Sequence, residues 1–304
     1  MAVQIPYNRE TDFVAGRIDT LGPDLRRVTA PNPGPFTFAG TNTYIVGRGQ
    51  VAVIDPGPAI SAHFDALMQA LKGETVTHIL ATHTHTDHSP LAARLQAETG
   101  AKTYGYGPHG SGKGVEGVKL EEGGDLSFDP DVRVRDGDVI EGQGFRITCI
   151  FTPGHTSNHV CFGLPTSRAL VTGDHIMGWS TSVIAPPDGD MADYMASLDK
   201  VLKDDYATLW PAHGGPVRDP EPFLKAFIAH REEREAKIAE GIAAGVSTIP
   251  ALVERIYVDV DRRLHPAAQW SVLAHIIRMV TDGRVRADGP PTLSAHYTPG
   301  SKAN

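Results

Sequence analysis

A short segment of the chain concentrates side chains that bind divalent metal ions. Residues 82–88 read Thr-His-Thr-His-Thr-Asp-His and offer four potential ligands: His83, His85, Asp87 and His88. Neutral imidazole and carboxylate groups are the ligands that zinc and similar divalent ions prefer. A lone histidine is usually an ordinary polar residue, but four such groups this close together predict a metal site.

Three further candidate ligands follow short apolar stretches and lie in turns that contain glycine or proline. His155 lies in Thr-Pro-Gly-His-Thr, Asp174 in Thr-Gly-Asp, and His213 in Trp-Pro-Ala-His-Gly-Gly. Each turn would present one ligand from the end of a strand. The segment 83–88 cannot close a metal site alone, so we expect partners from these turns.

The sequence lacks the other common arrangements for hydrolysis or phosphate binding. It has no Gly-x-Ser-x-Gly motif and no pairing of cysteine with histidine that would mark a protein nucleophile. The glycine-rich segment 105–117 lacks the Gly-Lys-Ser/Thr ending of a phosphate-binding loop and is predicted to be a flexible loop. Two cysteines, Cys149 and Cys161, exclude a disulfide scaffold and a thiolate-rich metal site.

Strands and helices alternate in the part of the chain that carries these residues. β-Branched runs predict strands, and apolar residues at helical spacing predict helices between them. Two successive sets of strands and helices indicate sheets covered by outer helices. The predicted strands are 51–55, 77–82, 132–134, 145–151, 159–162 and 169–172, and the predicted helices begin at Ser61, Ser89 and Asp193.

The pattern becomes mainly helical after Pro220. A long polar helix over 221–243 is centred on His-Arg-Glu-Glu-Arg-Glu-Ala-Lys at 230–237. Helices from Ser247 and over 270–281, followed by a short hairpin-like end, predict a small winged-helix module. The predicted division is a catalytic domain at 1–217, a C-terminal module at 218–289 and a tail at 290–304.

The charge balance limits the partners. The 28 basic and 36 acidic residues give a net charge of −8. Residues 1–217 carry −9, and residues 218–289 are neutral. This balance disfavours a chain built to hold nucleic acid or an anionic membrane. Because no apolar run approaches about 18 residues and the first residues do not form a secretion signal, we expect no membrane association and a cytoplasmic location.

These motifs resemble those of the metallo-β-lactamase superfamily. The five family motifs correspond to Asp55, the segment 83–88, His155, Asp174 and His213, over roughly residues 20–217. The polar helix and C-terminal module resemble the branch called β-lactamase-like protein 2, which extends the likeness to about residue 288. The resemblance implies an α/β fold, an αββα sandwich with two metal ions at one edge and a winged-helix-like module near the site.

The family pattern also implies a role for each ligand. It implies two Zn²⁺ ions, with manganese or iron as alternatives, and a bridging hydroxide as the nucleophile. Asp87 would have a second role as acceptor of the water's proton. Asp55 would orient a ligand from outside the coordination sphere, or form only a turn before Pro56. One metal would be held by His83, His85 and His155, the other by Asp87, His88 and His213, and Asp174 would bridge them.

Departures from the family's subgroups narrow the expected chemistry. Asp174 stands where one class of zinc β-lactamases has cysteine, and another class lacks this bridge, so β-lactam hydrolysis is expected only as a minor activity. His85 stands where the oxygen-reducing diiron branch usually has glutamate, which disfavours a redox role. Sulfur dioxygenases with a single iron share the His-x-His-x-Asp-His pattern and remain an alternative.

The resembling branch includes an RNA endonuclease and thioesterases that act on carrier-protein-bound acyl chains. A nucleic-acid-binding winged helix should present a basic face. The neutral module therefore favours hydrolysis of a thioester, lactone or other small ester, with RNA cleavage as the alternative. An RNA-binding surface could still form if six arginines of the module lie close together: Arg255, Arg262, Arg263, Arg278, Arg284 and Arg286.

Three residues are candidates for the substrate pocket. Trp179 would form a pocket wall, Tyr194 would donate to a substrate oxygen, and His175 would line the pocket beside Asp174. Packing inside the protein is the alternative interpretation for His175 and Tyr194. The apolar stripe from Trp270 to Val280 is expected to be core, or a contact with the catalytic domain or with a second subunit of a homodimer.

Overall fold

The computed structural model describes residues 3–9, 12–113, 123–258 and 260–301. The strands are β1 (Ile18–Gly22), β2 (Leu25–Thr29), β3 (Asn42–Arg48), β4 (Gln50–Ile54), β5 (Thr75–Leu80), β6 (Lys102–Gly105), β7 (Val132–Arg133), β8 (Val139–Gly142), β9 (Phe145–Phe151), β10 (Val160–Leu164), β11 (Ala169–Gly173), β12 (Thr208–Pro211), β13 (Val285–Ala287) and β14 (Tyr297–Pro299). The helices are α1 (Ser61–Ala70), α2 (Leu91–Thr99), α3 (Met191–Leu202), α4 (Pro220–Ala243), α5 (Ile249–Ile256) and α6 (His265–Thr281).

Two β-sheets lie face to face in the first two thirds of the chain. The first contains β1 to β7 in sequence order, antiparallel from β1 to β4 and parallel from β4 to β7. The second has the order β12-β11-β10-β9-β8, in which β11 and β12 are parallel and the other neighbours are antiparallel. The N-terminal strands β1 to β3 precede the segments in which the sequence predicted strands.

Alternating side chains explain how each sheet is buried on both faces. In β4, Val53 packs with α1 and α2, whereas Ile54 packs against the second sheet. In β9, Cys149 faces the first sheet and Ile150 packs with α3 and α4. Neighbouring residues of a strand point to opposite faces, so every central strand supplies two hydrophobic layers. The predicted αββα sandwich is confirmed.

The helix ends are set by local chemistry. α2 ends at Gly100, whose φ of 72° is a left-handed conformation that glycine adopts at little cost. α3 begins after Asp190, whose carboxylate accepts hydrogen bonds from the backbone N–H groups of Ala192 and Asp193. The helix therefore starts earlier than predicted, because Met191 as well as Tyr194 lies on its buried face.

The C-terminal helices form the predicted winged-helix-like module and pack on the sandwich. α4, α5 and α6 share one hydrophobic core with β13 and β14, and α3 packs against α4 and α6. α6 starts before the predicted Trp270, since Pro266 occupies its first turn, a position where proline loses no helix hydrogen bond. Within the ranges that the structure describes, no helix is both long and apolar enough to cross a bilayer.

The predicted tail at 290–304 is partly wrong. Residues 297–299 form β14, which pairs antiparallel with β13 and completes the wing-like hairpin. Tyr297 is buried, and its hydroxyl donates a hydrogen bond to the carbonyl of Thr292. The sequence did not predict this strand because the segment contains prolines at 290 and 291 and has a low apolar content.

The described part of the glycine-rich segment is packed and does not form an open loop. A Cβ at Gly112 would lie 1.9 Å from the carbonyl oxygen of Ser157, so only glycine permits this approach. The Asn158 amide donates to the carbonyls of Gly107 and Pro108. The end of the segment, from 114 onward, lies outside the described residues.

Candidate metal centre

The ligand-type side chains gather at one edge of the sandwich, in the loops that follow strands. The segment 83–88 follows β5, and His155 lies in the turn between β9 and β10. Asp174 and His213 follow the parallel neighbours β11 and β12. The carboxyl ends of parallel strands meet at the same edge, which explains why loops distant in sequence present their side chains together.

Two glycines shape these loops. Gly154, before His155, has φ 137°, and a Cβ there would lie 2.3 Å from the Cα of Tyr194. Gly173, before Asp174, has φ 50°, and a Cβ there would lie 2.6 Å from the hydroxyl of Thr82. Both turns need a left-handed backbone and close packing, so larger residues would displace the neighbouring ligand.

The structure brings all seven predicted ligands together in two groups. Within each group the ligand atoms lie within 4.8 Å of one another. The first group is His83, His85, His155 and Asp174, and the second is Asp87, His88 and His213.

Ring nitrogens converge in the first group. His85 Nδ1 lies 3.1 Å from His83 Nε2 and 3.1 Å from His155 Nε2. The second oxygen of Asp174, Oδ2, lies 3.6 Å from His155 Nε2. Three nitrogens and one oxygen thus face a common point, which is the donor set of a divalent metal site.

Asp174 joins the second group through its other oxygen. Its Oδ1 lies 3.2 Å from His213 Nε2 and 3.7 Å from His88 Nε2. Asp87 Oδ2 lies 3.3 Å from His88 Nε2 and 3.4 Å from His213 Nε2. One carboxylate therefore directs one oxygen to each group, as a bridging ligand would.

Asp55 supports the centre from below the ligands. It is 1 % exposed, and its Oδ2 lies 3.0 Å from His88 Nδ1, leaving Nε2 to face the cluster. The same carboxylate accepts hydrogen bonds from the backbone N–H and the hydroxyl of Thr82. Its φ of 51° is a conformation that aspartate tolerates better than most residues. Asp55 is thus more than a turn residue before Pro56.

Other ligands are oriented by contacts from outside the cluster. The hydroxyl of Thr41 donates to Asp87 Oδ2 at 2.7 Å. His155 Nδ1 lies 2.6 Å from the carbonyl oxygen of Val183. Such contacts fix the ring orientation and the tautomer of metal-binding histidines. Sequence reasoning missed Thr41, because a lone threonine in a loop carries no recognisable pattern.

The charges of the cluster are strongly coupled. Burial, with the imidazoles of His88 and His85, lowers the pKa of His83 well below its ordinary value. Burial would also lower the pKa of His88, but the carboxylates of Asp87, Asp174 and Asp55 outweigh it and raise that pKa well above its ordinary value. The aspartates therefore favour the protonated form of His88 when no metal is bound.

The donor set fits divalent metal ions. His88 Nε2 and Asp174 Oδ1 are buried and have no hydrogen-bond partner among the described residues. Unpartnered buried polar atoms are costly, and a cation between them would satisfy both. The chemistry of the centre's own atoms therefore fits a bound divalent metal ion.

A cavity of about 540 Å³ opens above the cluster. Its floor includes His85, Asp87, His155, Asp174 and His213. Its walls come from both the sandwich and the C-terminal module. The apolar wall residues include Phe36, Met177, Trp179, Val183, Leu264 and Trp270.

The three predicted pocket residues have different positions. Trp179 lines the cavity and stacks on Phe38, with ring centroids 4.9 Å apart. His175 and Tyr194 are 0 % exposed and do not line it, and the hydroxyl of Tyr194 donates to the carbonyl of His175. The expectation that these two contact substrate is not met, because Tyr194 lies on the buried face of α3. This arrangement matches their alternative interpretation as packing residues.

The sequence interpretation also missed pocket residues from distant segments. Phe36 comes from the loop before β3, and Tyr257, Leu264 and Trp270 come from the C-terminal module. These positions become neighbours of the metal centre only through tertiary packing. Trp270 is 39 % exposed, so it is a pocket wall and not a core residue.

The fold and the centre define the class of protein. Residues 36–213 match the metallo-beta-lactamase superfamily, and residues 248–290 match the beta-lactamase associated winged helix domain. The chain belongs to the metallo-β-lactamase superfamily of metal-binding hydrolases, as its motifs predicted.

Several known proteins are similar to this chain over most of its length. A "Lactamase-like protein nscB" of Neosartorya fischeri is 30 % identical over 94 % of this chain and 82 % of that protein. An "Atrochrysone carboxyl ACP thioesterase dmxR1" of Cryptosporiopsis sp. is 28 % identical over 88 % of this chain and 83 % of that protein. A beta-lactamase domain protein from Burkholderia ambifaria has the same fold, with a TM-score of 0.80, 18 % identity and 97 % coverage of both chains.

Proposed function

We propose that this chain hydrolyses a thioester, or a lactone or other small ester, whose acyl part is apolar. The observation that carries the proposal is that the cluster of seven ligand-type residues opens, through five of its members, onto a cavity with apolar walls. We also propose that residues 1–217 carry the catalytic centre and that residues 218–289 complete the cavity.

The proposed centre holds two zinc ions. His83, His85 and His155 would hold one ion, and the second would be held by Asp87, His88 and His213, with Asp174 between them. When bound, such ions lower the pKa of water and polarise a substrate carbonyl. The chain itself contributes the orientation of these ligands and the exclusion of bulk water by the cavity walls.

Asp87 is the residue that we propose to accept the proton of the attacking water. Its side chain is 24 % exposed and lines the cavity, whereas the other carboxylate of the cluster, Asp174, is 12 % exposed. The hydrogen bond from Thr41 to Asp87 Oδ2 fixes one carboxylate oxygen. A positioned carboxylate within reach of the reacting water can take its proton.

Two observations favour an acyl substrate over RNA. The cavity walls carry aromatic and aliphatic side chains, which suit an acyl or aromatic chain. Four arginines of the module lie within 4.0 Å of carboxylates, which neutralises the expected basic face: Arg255, Arg263, Arg278 and Arg284. The relative described as an ACP thioesterase acts on the same class of bond.

The test is a parallel screen of acyl thioesters, lactones, a cephalosporin and single-stranded RNA with the metal-loaded protein. We expect thioesters or lactones to be hydrolysed fastest, and Asp174→Ala to abolish turnover without unfolding the chain. Control reactions use Asp199→Ala, at a helical position away from the cluster. Dominant RNA cleavage that weakens steeply with salt would refute the proposal.

A further inference from the structure

The polar helix segment 230–237 contributes an unexplained charged surface to the cavity. His230, Arg231 and Arg234 of α4 all line the cavity above the metal centre. Arg231 and Arg234 are three residues apart, so they lie on the same face of the helix. Neither is needed to hold the proposed metal ions.

Arg231 is a buried cation without a carboxylate partner among the described residues. It is 4 % exposed, donates through Nη2 to the carbonyl of Ser182, and lies 5.0 Å from the ring of Tyr194. Its Nε is buried and has no hydrogen-bond partner in the part of the chain that the structure describes. Burying a charge is costly unless an opposite charge compensates it.

Arg234 is in a similar position nearer the module. Its guanidinium lies 4.3 Å from the ring centroid of Tyr257, and its Nη1 donates to the carbonyl of Ile256. It forms no ion pair with any carboxylate that the structure describes. The cation–π contact holds the group at the cavity wall but leaves its charge uncompensated.

The acidic residues of the same helix have other partners. Glu233 pairs with Lys237, and Glu235 pairs with Arg278 and Arg284. These two carboxylates are therefore committed to other contacts, and Glu232 is exposed and does not line the cavity, which leaves the two cavity-lining arginines available for a ligand.

The charge of the cavity wall is consequently positive. Among the lining residues that the structure describes, those with a formal charge are Arg231 and Arg234, besides the proposed metal ligands Asp87 and Asp174. Burial and these two arginines lower the pKa of His230 to about 4, so His230 is neutral near pH 7. The apolar walls restrict access of water and so strengthen attraction between the guanidinium groups and an anion.

We propose that Arg231 and Arg234 form a subsite for an oxyanion of the substrate. The oxyanion would be a carboxylate on the acyl part or a phosphate on the thiol arm, and guanidinium groups bind both through paired N–H donors. This inference extends the proposed function, because it names a charged group that a preferred substrate carries in addition to its apolar acyl part.

Binding of uncharged and charged probes by the metal-loaded protein tests the subsite without turnover. The first pair is 2-naphthalenesulfonate and 2-naphthalenemethanol, since a sulfonate is a weak metal ligand. The second pair is S-methyl-4′-phosphopantetheine and S-methylpantetheine. We expect the anionic member of at least one pair to bind about tenfold more tightly, and the responding pair identifies whether the acyl part or the thiol arm carries the anion.

The arginine variants assign any such preference to the subsite. Arg234→Gln should reduce the preference about tenfold without changing affinity for the neutral probe, and Arg231→Gln should act likewise if it remains folded. Arg255→Gln is the matched control, because Arg255 is exposed and does not line the cavity.

Equal affinity for charged and neutral probes in the unmodified protein, or a preference that survives Arg234→Gln in a folded variant, would overturn the inference. Because binding is measured without hydrolysis, failure of the proposed activity would not mimic either result.

Discussion

Asp55 is the residue that links the strand framework to the metal centre. It holds His88 through Nδ1 and fixes Thr82, whose hydroxyl lies 3.0 Å from His83 Nδ1. We predict that Asp55→Asn, which keeps the shape and tolerates the left-handed backbone, lowers metal affinity about 10- to 100-fold. Competition with a chromophoric chelator measures this. The exposed Asp65→Asn is the control, and an unchanged affinity in Asp55→Asn would show that the contact of Asp55 with His88 does not contribute to metal binding.

Metal binding should release protons near pH 7. Burial alone would lower the pKa of His213, but the carboxylates of Asp174 and Asp87 outweigh this effect and raise it. The same carboxylates raise the pKa of His88. Both imidazoles are therefore protonated below their raised pKa values and must lose protons before they bind metal. Affinity should fall as pH decreases. Calorimetric titration in buffers of different ionisation enthalpy measures the release, and binding without proton release would contradict this account.

At the scale of elements, α4 connects the two parts of the chain. Its Glu235 is 5 % exposed and contacts His275, Arg278 and Arg284. We predict that Glu235→Ala lowers the free energy of unfolding by about 2 kcal/mol, because the partly buried guanidinium groups of Arg278 and Arg284 lose the buried carboxylate that they contact. Chemical denaturation measures the change. Glu240→Ala, whose side chain is exposed, should cost under about 0.5 kcal/mol, and equal losses for the two variants would refute the role of the cluster.

The same cluster gives an acid-dependent contribution to stability. Burial would raise the pKa of Glu235, but the hydrogen bond with His275 and the nearby guanidinium groups outweigh it and lower the value from 4.5 to about 2. The folded state thus binds fewer protons than the unfolded state between these values. Stability from Glu235 should be present above about pH 4.5 and be lost toward about pH 2. Denaturation curves of the unmodified protein and Glu235→Gln should converge over this range; a constant difference would contradict the assignment.

The sequence predicted elements best where the pattern was local. The periodicity around β4, β5 and β9 predicted strands because each buries alternating faces. β14 was missed, since a three-residue strand in a proline-containing segment has too little periodic pattern. The turn ligands could be singled out by residue type and spacing, whereas Thr41, Arg231 and Trp270 become functional candidates only through contacts between distant segments.

At the scale of the whole molecule, the C-terminal module closes one wall of the cavity. Trp270 of α6 lines the cavity above a centre built entirely by the other domain. We predict that Trp270→Ala raises KM about tenfold for a thioester with a long or aromatic acyl group and changes KM for an acetyl thioester little, because only the larger group reaches this wall. Steady-state kinetics measures both. Val139→Ala, an exposed position in β8, is the control, and equal KM increases for both substrates would contradict the proposed wall.

The central claim is that the seven clustered side chains hold two metal ions that are both needed for hydrolysis. Its most direct test is stepwise addition of Zn²⁺ to the metal-free protein while the initial rate of hydrolysis of an acyl thioester is followed. We predict that the rate rises to a plateau at two equivalents per chain and that Asp174→Ala stays inactive throughout. Full hydrolysis without added metal, or activity that requires one iron and consumes oxygen, would contradict it.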